Sequence, residues 1–260
     1  MRQMNIKTFT ILTFLLFLSG IRSSYAQLDS STVNGGDGKY LIKLNLLALP
    51  LNNFSFQAER AVGKRTAVGL GLRFMPKSGL PFKSQIENLI DDPESWKQIK
   101  DFKTGNFAIT PEVRFYMGKG VFRGFYVAPF VRYTRYTAEL PFTFNVPNST
   151  DGFTSEVIPL SGNLSTITGG VLLGAQWKLT KLLYLDWSIF GPQYGASNGS
   201  ISGNRSLSTN EQNALRDELQ TLSDLPLVKT TYTVDQNGAT VDFKGPWAGI
   251  RSSFSLGFRF

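Results

Sequence analysis

The stretch Phe254-Ser255-Leu256-Gly257-Phe258-Arg259-Phe260 alternates an apolar residue with a small or charged one at every step. Successive side chains of a β-strand point to opposite faces of the sheet. The stretch is therefore predicted to be a strand with one fully apolar face and one face that carries an arginine. We expect the apolar face to contact lipid, and Arg259 to point inward together with Arg251 of the same strand.

The same alternation recurs along the chain and predicts eight strands in all. In several of them one face stays apolar for about 9–11 residues, the length that a tilted strand needs to cross a bilayer. The predicted fold is all-β: an eight-stranded antiparallel up-and-down transmembrane β-barrel over residues 40–260. Its strands are expected at 40–49, 54–61, 66–75, 106–117, 124–140, 161–179, 182–196 and 246–260.

The connections between these strands differ in length in an ordered way. In an up-and-down sheet, consecutive connections lie at opposite ends, and the short connections all fall at one end. The long ones fall at the other end, as they do in outer-membrane barrels. They are predicted to be extracellular loops, at 76–104, 141–160 and 197–245.

Two of these loops carry the signals of short helices. Asp92-Pro93-Glu94 offers an N-cap followed by a proline at the first helical position, which predicts an amphipathic helix over 92–103. Ser208 and Glu211 have the spacing of a capping box, which predicts a second helix over 208–223.

The N-terminus has the layout of a secretory signal peptide over residues 1–26. Arg2 and Lys7 accompany a short apolar run, and Ser24-Tyr25-Ala26 supplies small residues for cleavage. Residues 27–39 are polar and glycine-rich, so they are predicted to form a flexible periplasmic leader. The chain has no cysteine and hence no disulfide. Its stability must come from one large, well-paired structure.

The inward faces of the predicted strands carry charges, which would be costly inside a soluble sandwich. In a closed barrel they can pair with one another and with water. Glu112 and Arg114 are two residues apart and share one face of a strand. They fit either a gate on an ion path or a salt-bridged plug, and eight strands leave a lumen that side chains fill, which favours the plug. The predicted lumen charge network comprises Lys43, Glu59, Arg73, Glu112, Arg114, Asp186 and Arg251.

The signal peptide, the eight amphipathic strands and the final FSLGFRF together resemble the small outer-membrane barrels of the OmpA/OmpX-like class. The loops and the Ala26-Gln27 junction resemble the Bacteroidota-type versions of that family. The resemblance implies a bacterial outer-membrane location, surrounded by outer-membrane lipid and lipopolysaccharide. It also implies a signal for the barrel assembly machinery, carried by Phe254, Leu256, Phe258 and Phe260.

Composition argues against several classes of function. The chain has no histidine, the side chain naturally poised near neutral pH. Barrel enzymes of similar size, such as lipid A deacylases and omptin-like proteases, resemble one another in using histidine. We therefore predict no enzymatic activity, cofactor or metal site. Removal of Arg2, Lys7 and Arg22 leaves 24 of the 27 basic residues against 19 acidic ones, with no basic run, so nucleic acid is not an expected partner.

The sequence thus predicts a non-enzymatic barrel with a structural or surface-interaction role through its long loops and an unidentified surface ligand. Trp96, Ile99 and Phe102 follow one another at helical spacing and form the candidate contact stripe. One alternative is a narrow pore for small solutes, lined by the lumen charges. Another is a secreted soluble barrel that carries a lipophilic ligand.

Overall fold

The computed structural model describes residues 38–90, 96, 99–148, 152–220 and 229–260. The predicted signal peptide and residues 27–37 of the predicted leader lie outside the described residues. A short 3₁₀ turn at Leu49–Leu51 joins the first two strands. The remaining elements, in chain order, are β1 (Tyr40–Asn45), β2 (Phe54–Ala61), β3 (Thr66–Gly79), α1 (Lys83–Glu87), β4 (Lys103–Tyr116), β5 (Gly124–Asn148), β6 (Gly152–Lys178), β7 (Leu183–Asn204), α2 (Thr209–Gln220), β8 (Lys229–Asp235) and β9 (Gly238–Arg259).

Eight of these strands close into an antiparallel ring, as the alternation predicted. β1 to β7 pair in sequence, β7 pairs with β9, and β9 pairs with β1. The closing seam places Ile42 opposite Phe258 and Leu44 opposite Leu256. A closed ring leaves no sheet edge, so the strands satisfy one another's main-chain hydrogen bonds.

β8 is a ninth strand that does not belong to the ring. It pairs only with the first part of β9, with Thr233 opposite Thr240, and forms a hairpin there. The polar stretch 229–234 therefore has the strand character that its sequence indicates.

The predicted loop at 141–160 is wrong, because β5 and β6 continue as one long hairpin. Their register runs without a break up to Asn148 opposite Gly152. Pro141 and Pro159 lie directly opposite each other, so both residues that lack an amide hydrogen fall at one level of the ladder. Three prolines in twenty residues indicate a loop in the sequence, and this register is what accommodates two of them in strands.

The other two predicted loops are also shortened by the sheet. β7 and β9 continue pairing up to Asn204 opposite Gly238, so the predicted loop 197–245 is largely strand at both of its ends. β3 likewise extends to Gly79 and β4 begins at Lys103. The helix α1, at Lys83–Glu87, was not predicted. The sheet thus takes up the described part of the predicted loop 141–160 and the ends of the other two.

The predicted helix at 208–223 is confirmed as α2 over Thr209–Gln220, and its capping box is present; residues 221–223 lie outside the described residues. The amide of Ser208 donates to the Glu211 carboxylate at 2.8 Å, and the amide of Glu211 donates to Ser208 Oγ at 3.4 Å. The apolar face of α2 packs on the extended hairpins in a small separate core, here called the tip core. Its buried members are Phe144, Val146, Ile158, Leu207, Leu215, Leu219, Val234 and Ala239.

At the opposite end of the barrel, the short turn between β4 and β5 folds into the lumen. Phe122 is fully buried and has a positive φ of 64°, a conformation that side chains rarely adopt. Its ring packs edge-on against Tyr116 at 6.1 Å and Tyr184 at 6.4 Å. We call this aromatic group, with Tyr126, the basal cluster; it fills the barrel near the short turns.

Candidate functional site

The outer surface of the ring is an apolar belt, and it is made by the residues that the alternation places outward. On β3, for example, Val68, Leu70, Leu72 and Phe74 are each 41–55% exposed. Exposed apolar side chains on each of the other seven strands of the ring continue the belt, among them Ile42, Phe56, Phe107, Phe115, Phe125, Val131, Val171, Leu173, Trp177, Trp187, Ile250 and Phe258. Soluble monomers rarely expose a continuous apolar surface of this extent.

The inner surface carries a buried ionic network centred on Arg114, which is fully buried. Its guanidinium lies 2.9 Å from Glu59, 2.5 Å from Glu112 and 2.6 Å from Asp186. Neighbouring strands can contribute to one cluster in this way, because each presents alternate residues to the lumen.

Two further cations complete this network and balance its charge. Lys43 donates hydrogen bonds to both Glu59 and Asp186. Arg251 donates to the second oxygen of Glu112 at 2.6 Å. The charge network, as we now define it, is Lys43, Glu59, Glu112, Arg114, Asp186 and Arg251. Three cations face three carboxylates, which is the condition under which buried charges are tolerated.

Neutral side chains that sequence reasoning did not single out satisfy the remaining oxygens. Gln57 donates to Glu112 at 2.5 Å and accepts from Arg114 at 3.0 Å. Tyr116 donates to Glu59 at 2.9 Å, and Tyr126 donates to Asp186 at 2.8 Å. Gln57 lies two residues before Glu59, and Tyr116 two residues after Arg114, so strand parity could have found both.

Arg73 was predicted to belong to the network, but the structure places it elsewhere in the lumen. Its Nε donates to Asn53 Oδ1 at 3.0 Å. Arg73 of β3 pairs with Ala108 of β4, whereas Glu112 of β4 pairs with Gly69 of β3. Four residues of strand separate the two levels, roughly 13 Å, which is too far for an ion pair.

Arg73 instead lines a cavity of about 380 Å³ in the lumen, on the side of the charge network towards the long connections. Lys43 and Arg251 contribute to its lining, as does Arg132, which was not predicted. Trp247 and Tyr136 also line it and pack against each other, with ring centroids 5.7 Å apart.

The closing strand has the orientation that its pattern predicted. Ser255, Gly257 and Arg259 are buried, while Phe258 and Phe260 are about half exposed on the outer face. Phe254 and Leu256 share that outer face. Phe260 stacks on Tyr40 at 5.9 Å across the seam. Arg259 donates to the Gly38 carbonyl at 2.7 Å and to the Tyr184 hydroxyl at 2.8 Å.

The candidate contact stripe is only partly described. Trp96 and Ile99 are helical, with main-chain bonds from Lys100 to Trp96 at 2.9 Å and from Phe102 to Ile99 at 3.0 Å. Trp96, Ile99 and Phe102 are all half-buried. The predicted cap, Asp92-Pro93-Glu94, lies outside the described residues.

Neither a metal-binding group nor a membrane-spanning helix is present in the described part of the chain. It contains no group of three or more His, Cys, Asp and Glu side chains placed to share a metal ion. None of its helices combines the length and the apolar character required to cross a membrane.

Three solved structures have some similarity to this chain. A major outer membrane protein from Thermus thermophilus has a TM-score of 0.33 at 14% identity, over 85% of this chain and 97% of that one. The N-terminal β-barrel domain of Pseudomonas aeruginosa OprF has a TM-score of 0.24 at 7% identity, over 85% and 96%. The β domain of the Bordetella autotransporter BrkA has 0.24 at 12%, over 86% and 99%.

A search of curated proteins gave no significant match. The profile of a protein family does match the chain, over residues 11–195, which is well over half of its length. That family is described as "Protein of unknown function (DUF3575)". The chain belongs to the DUF3575 family.

Proposed function

We propose that this protein is a non-enzymatic barrel of the bacterial outer membrane, closed to ion flow, that acts through the end bearing its long hairpins. The proposal rests on one observation: an apolar belt surrounds a ring whose interior is crossed by a layer of paired charges. This distribution is inverted relative to a soluble barrel, where the apolar residues fill the interior. Residues 1–26 serve, in this proposal, as the export signal.

The closed interior follows from two layers of side chains. The charge network spans the lumen with side chains from β1, β2, β4, β7 and β9, and its members satisfy one another. The basal cluster, with Phe122 inserted from its turn, fills the section near the short turns. An eight-stranded barrel has a lumen that side chains can fill completely. The lumen therefore suits neither ion conduction nor a lipophilic ligand.

The surroundings and partners follow from the outer face. Outer-membrane lipid and lipopolysaccharide would cover the belt. The outward face of the closing strand, Phe254, Leu256, Phe258 and Phe260, would present the assembly machinery with alternating apolar side chains. At the long-connection end, the tip core holds α2 and the hairpins in one arrangement. This gives a surface ligand a fixed platform, with the Trp96 region as a second candidate contact.

Detergent extraction and gel mobility test the membrane assignment. We expect the protein to fractionate with outer membranes, and to migrate differently on gels before and after boiling. Recovery in the soluble fraction without detergent would overturn the proposal.

Planar-bilayer recording tests the closed interior and separates it from the narrow-pore alternative. We expect no steady conductance from the native protein. Steady ion-selective steps that change in Glu112→Gln or Arg114→Gln would establish a pore through the charge network. Glu139→Gln is the matched control, because Glu139 lies outside the network and pairs with Lys77 at 2.5 Å.

A further inference from the structure

The lumen cavity is lined by an unusual excess of positive charge. Four cationic side chains line it, Lys43, Arg73, Arg132 and Arg251, and no carboxylate is among the described residues that do so. Lys43 and Arg251 are already paired with carboxylates of the charge network. The positive charges of Arg73 and Arg132 are left without a carboxylate partner among the described residues.

Arg132 shows the imbalance most clearly. It is only 7% exposed, yet the one hydrogen bond that its guanidinium makes within the described part of the chain is from Nε to Thr134 Oγ1 at 3.1 Å. Among the described residues, none accepts a hydrogen bond from its two terminal nitrogens. The charged groups that act on it most strongly are Arg73 and Arg251, which repel it. A buried guanidinium normally has a carboxylate partner or another anion, because burial of an unpaired charge is costly.

Arg114, in the same lumen, differs from Arg132 in having carboxylate partners. Arg114 is also buried, and three carboxylates surround it. Arg132 lines the open space of the cavity instead, as does Arg73, whose Nε is held by Asn53. Two guanidinium groups that share one cavity offer planar pairs of N–H donors, and this geometry matches the oxygens of phosphate or carboxylate groups.

We propose that this cavity binds a small oxyanion, a phosphate or carboxylate compound, between Arg73 and Arg132. A ligand that carries one or two negative charges would balance the two arginines. The cavity volume of about 380 Å³ is near the lower limit for small-molecule sites, so it suits a single small anion. Leu47 and Leu51, from the connection between β1 and β2, line it, so the ligand enters from the long-connection end. The site does not depend on the membrane assignment.

Calorimetric titration of the detergent-refolded protein tests the site, with inorganic phosphate and succinate as probes and chloride as the reference anion. We expect saturable binding of at least one oxyanion and none of chloride. Arg132→Gln and Arg73→Gln should each weaken that binding by about tenfold or more, the loss expected for one charge-assisted hydrogen bond. Arg135→Gln is the matched control, because Arg135 lies on the same strand and points outward. It should bind like the native protein.

A thermal-shift measurement separates a binding site from a structural role. Without added anion, Arg132→Gln should be as stable as the native protein or more stable, because the substitution removes repulsion from Arg73 and Arg251. The oxyanion that binds in the titration, phosphate or succinate, should raise the melting temperature of the native protein and of Arg135→Gln, but not that of Arg132→Gln. Absence of saturable oxyanion binding, or equal binding by Arg132→Gln and the native protein, would overturn the proposal. If Arg132→Gln fails to refold, Arg73→Gln decides the question by the same criteria.

Discussion

Arg114 is the residue on which the lumen depends most, because three carboxylates converge on it. Arg114→Met keeps much of the side-chain volume but leaves Glu59, Glu112 and Asp186 to Lys43 and Arg251 alone. Removing one partner from a buried ionic group costs about 3–5 kcal/mol. We expect a loss of that size in the free energy of unfolding, measured by urea titration of the refolded protein.

The control for this substitution is Arg65→Met, since Arg65 lies in the exposed turn between β2 and β3. Its free energy of unfolding should match that of the native protein. If Arg114→Met lost no more stability than Arg65→Met, the network would not be a source of stability.

Gly174 tests how tightly the same layer is packed. A Cβ atom on Gly174 would lie 2.3 Å from the ring of Tyr126, whose hydroxyl donates to Asp186. Gly174→Ala must therefore displace Tyr126, and overpacking of this kind costs about 1–3 kcal/mol. Gly169→Ala, on the same strand, has only a carbonyl oxygen at 4.0 Å near its added atom. In urea titration, equal stability of the two variants would contradict the described packing.

Strand parity predicts which side chains face the lumen but not which of them contact one another. Parity places Arg73, Glu112 and Arg114 inward, and all three point inward. Their heights along the barrel depend on the stagger between neighbouring strands, which alternation does not encode. For this reason the sequence assigned Arg73 wrongly to the charge network. For the same reason the sequence could not show that Arg132 lines the cavity together with Arg73.

Among the elements, α2 has a titratable cap whose contribution can be measured. Hydrogen bonds from the Ser208 hydroxyl and amide hold the pKa of Glu211 below its ordinary value of 4.5. A carboxyl with a lowered pKa in the folded state stabilises the fold above its ordinary pKa. That contribution disappears as the pH falls through the lowered pKa. We therefore expect the hydrogen-exchange protection of α2 to weaken below about pH 4.5.

The control for α2 is Glu211→Gln, which retains an acceptor for the Ser208 amide but does not titrate. Comparison of the two proteins at each pH cancels the intrinsic pH dependence of exchange. The difference in protection should be confined to residues 209–220 and should vanish at low pH. A difference that stays constant as the solution is acidified from neutral pH would show that the carboxylate does not contribute to the cap.

The hairpin of β5 and β6 beyond residue 140 shows why a strand can be mistaken for a loop in the sequence. Beyond residue 140, β5 still alternates, with Phe142, Phe144 and Val146 on the face that packs in the tip core and Thr143 and Asn145 on the other face. Pro141, Pro147 and Pro159 interrupt this short pattern, so the sequence suggests a break in the strand. The capping box of α2 is a local signal and could be predicted correctly.

For the whole molecule, the belt provides the sharpest test of where the protein resides. Leu72 is 44% exposed on β3, between Phe56 and Ile109 on the neighbouring strands, at mid-height of the belt. An arginine at the bilayer midplane on the lipid face of a barrel costs about 2–4 kcal/mol. Leu72→Arg should therefore lower the free energy of unfolding by that amount, measured in lipid vesicles.

Leu89→Arg is the matched control, because Leu89 is 83% exposed in the connection after α1, away from the belt. In water, an arginine on an exposed surface is tolerated as well as a leucine, so a soluble barrel would accept both substitutions alike. In a bilayer only Leu72→Arg places a charge in hydrocarbon. The difference in the free energy of unfolding between the two variants in vesicles therefore shows whether the belt is in contact with lipid. Equal stabilities would mean that the belt faces water.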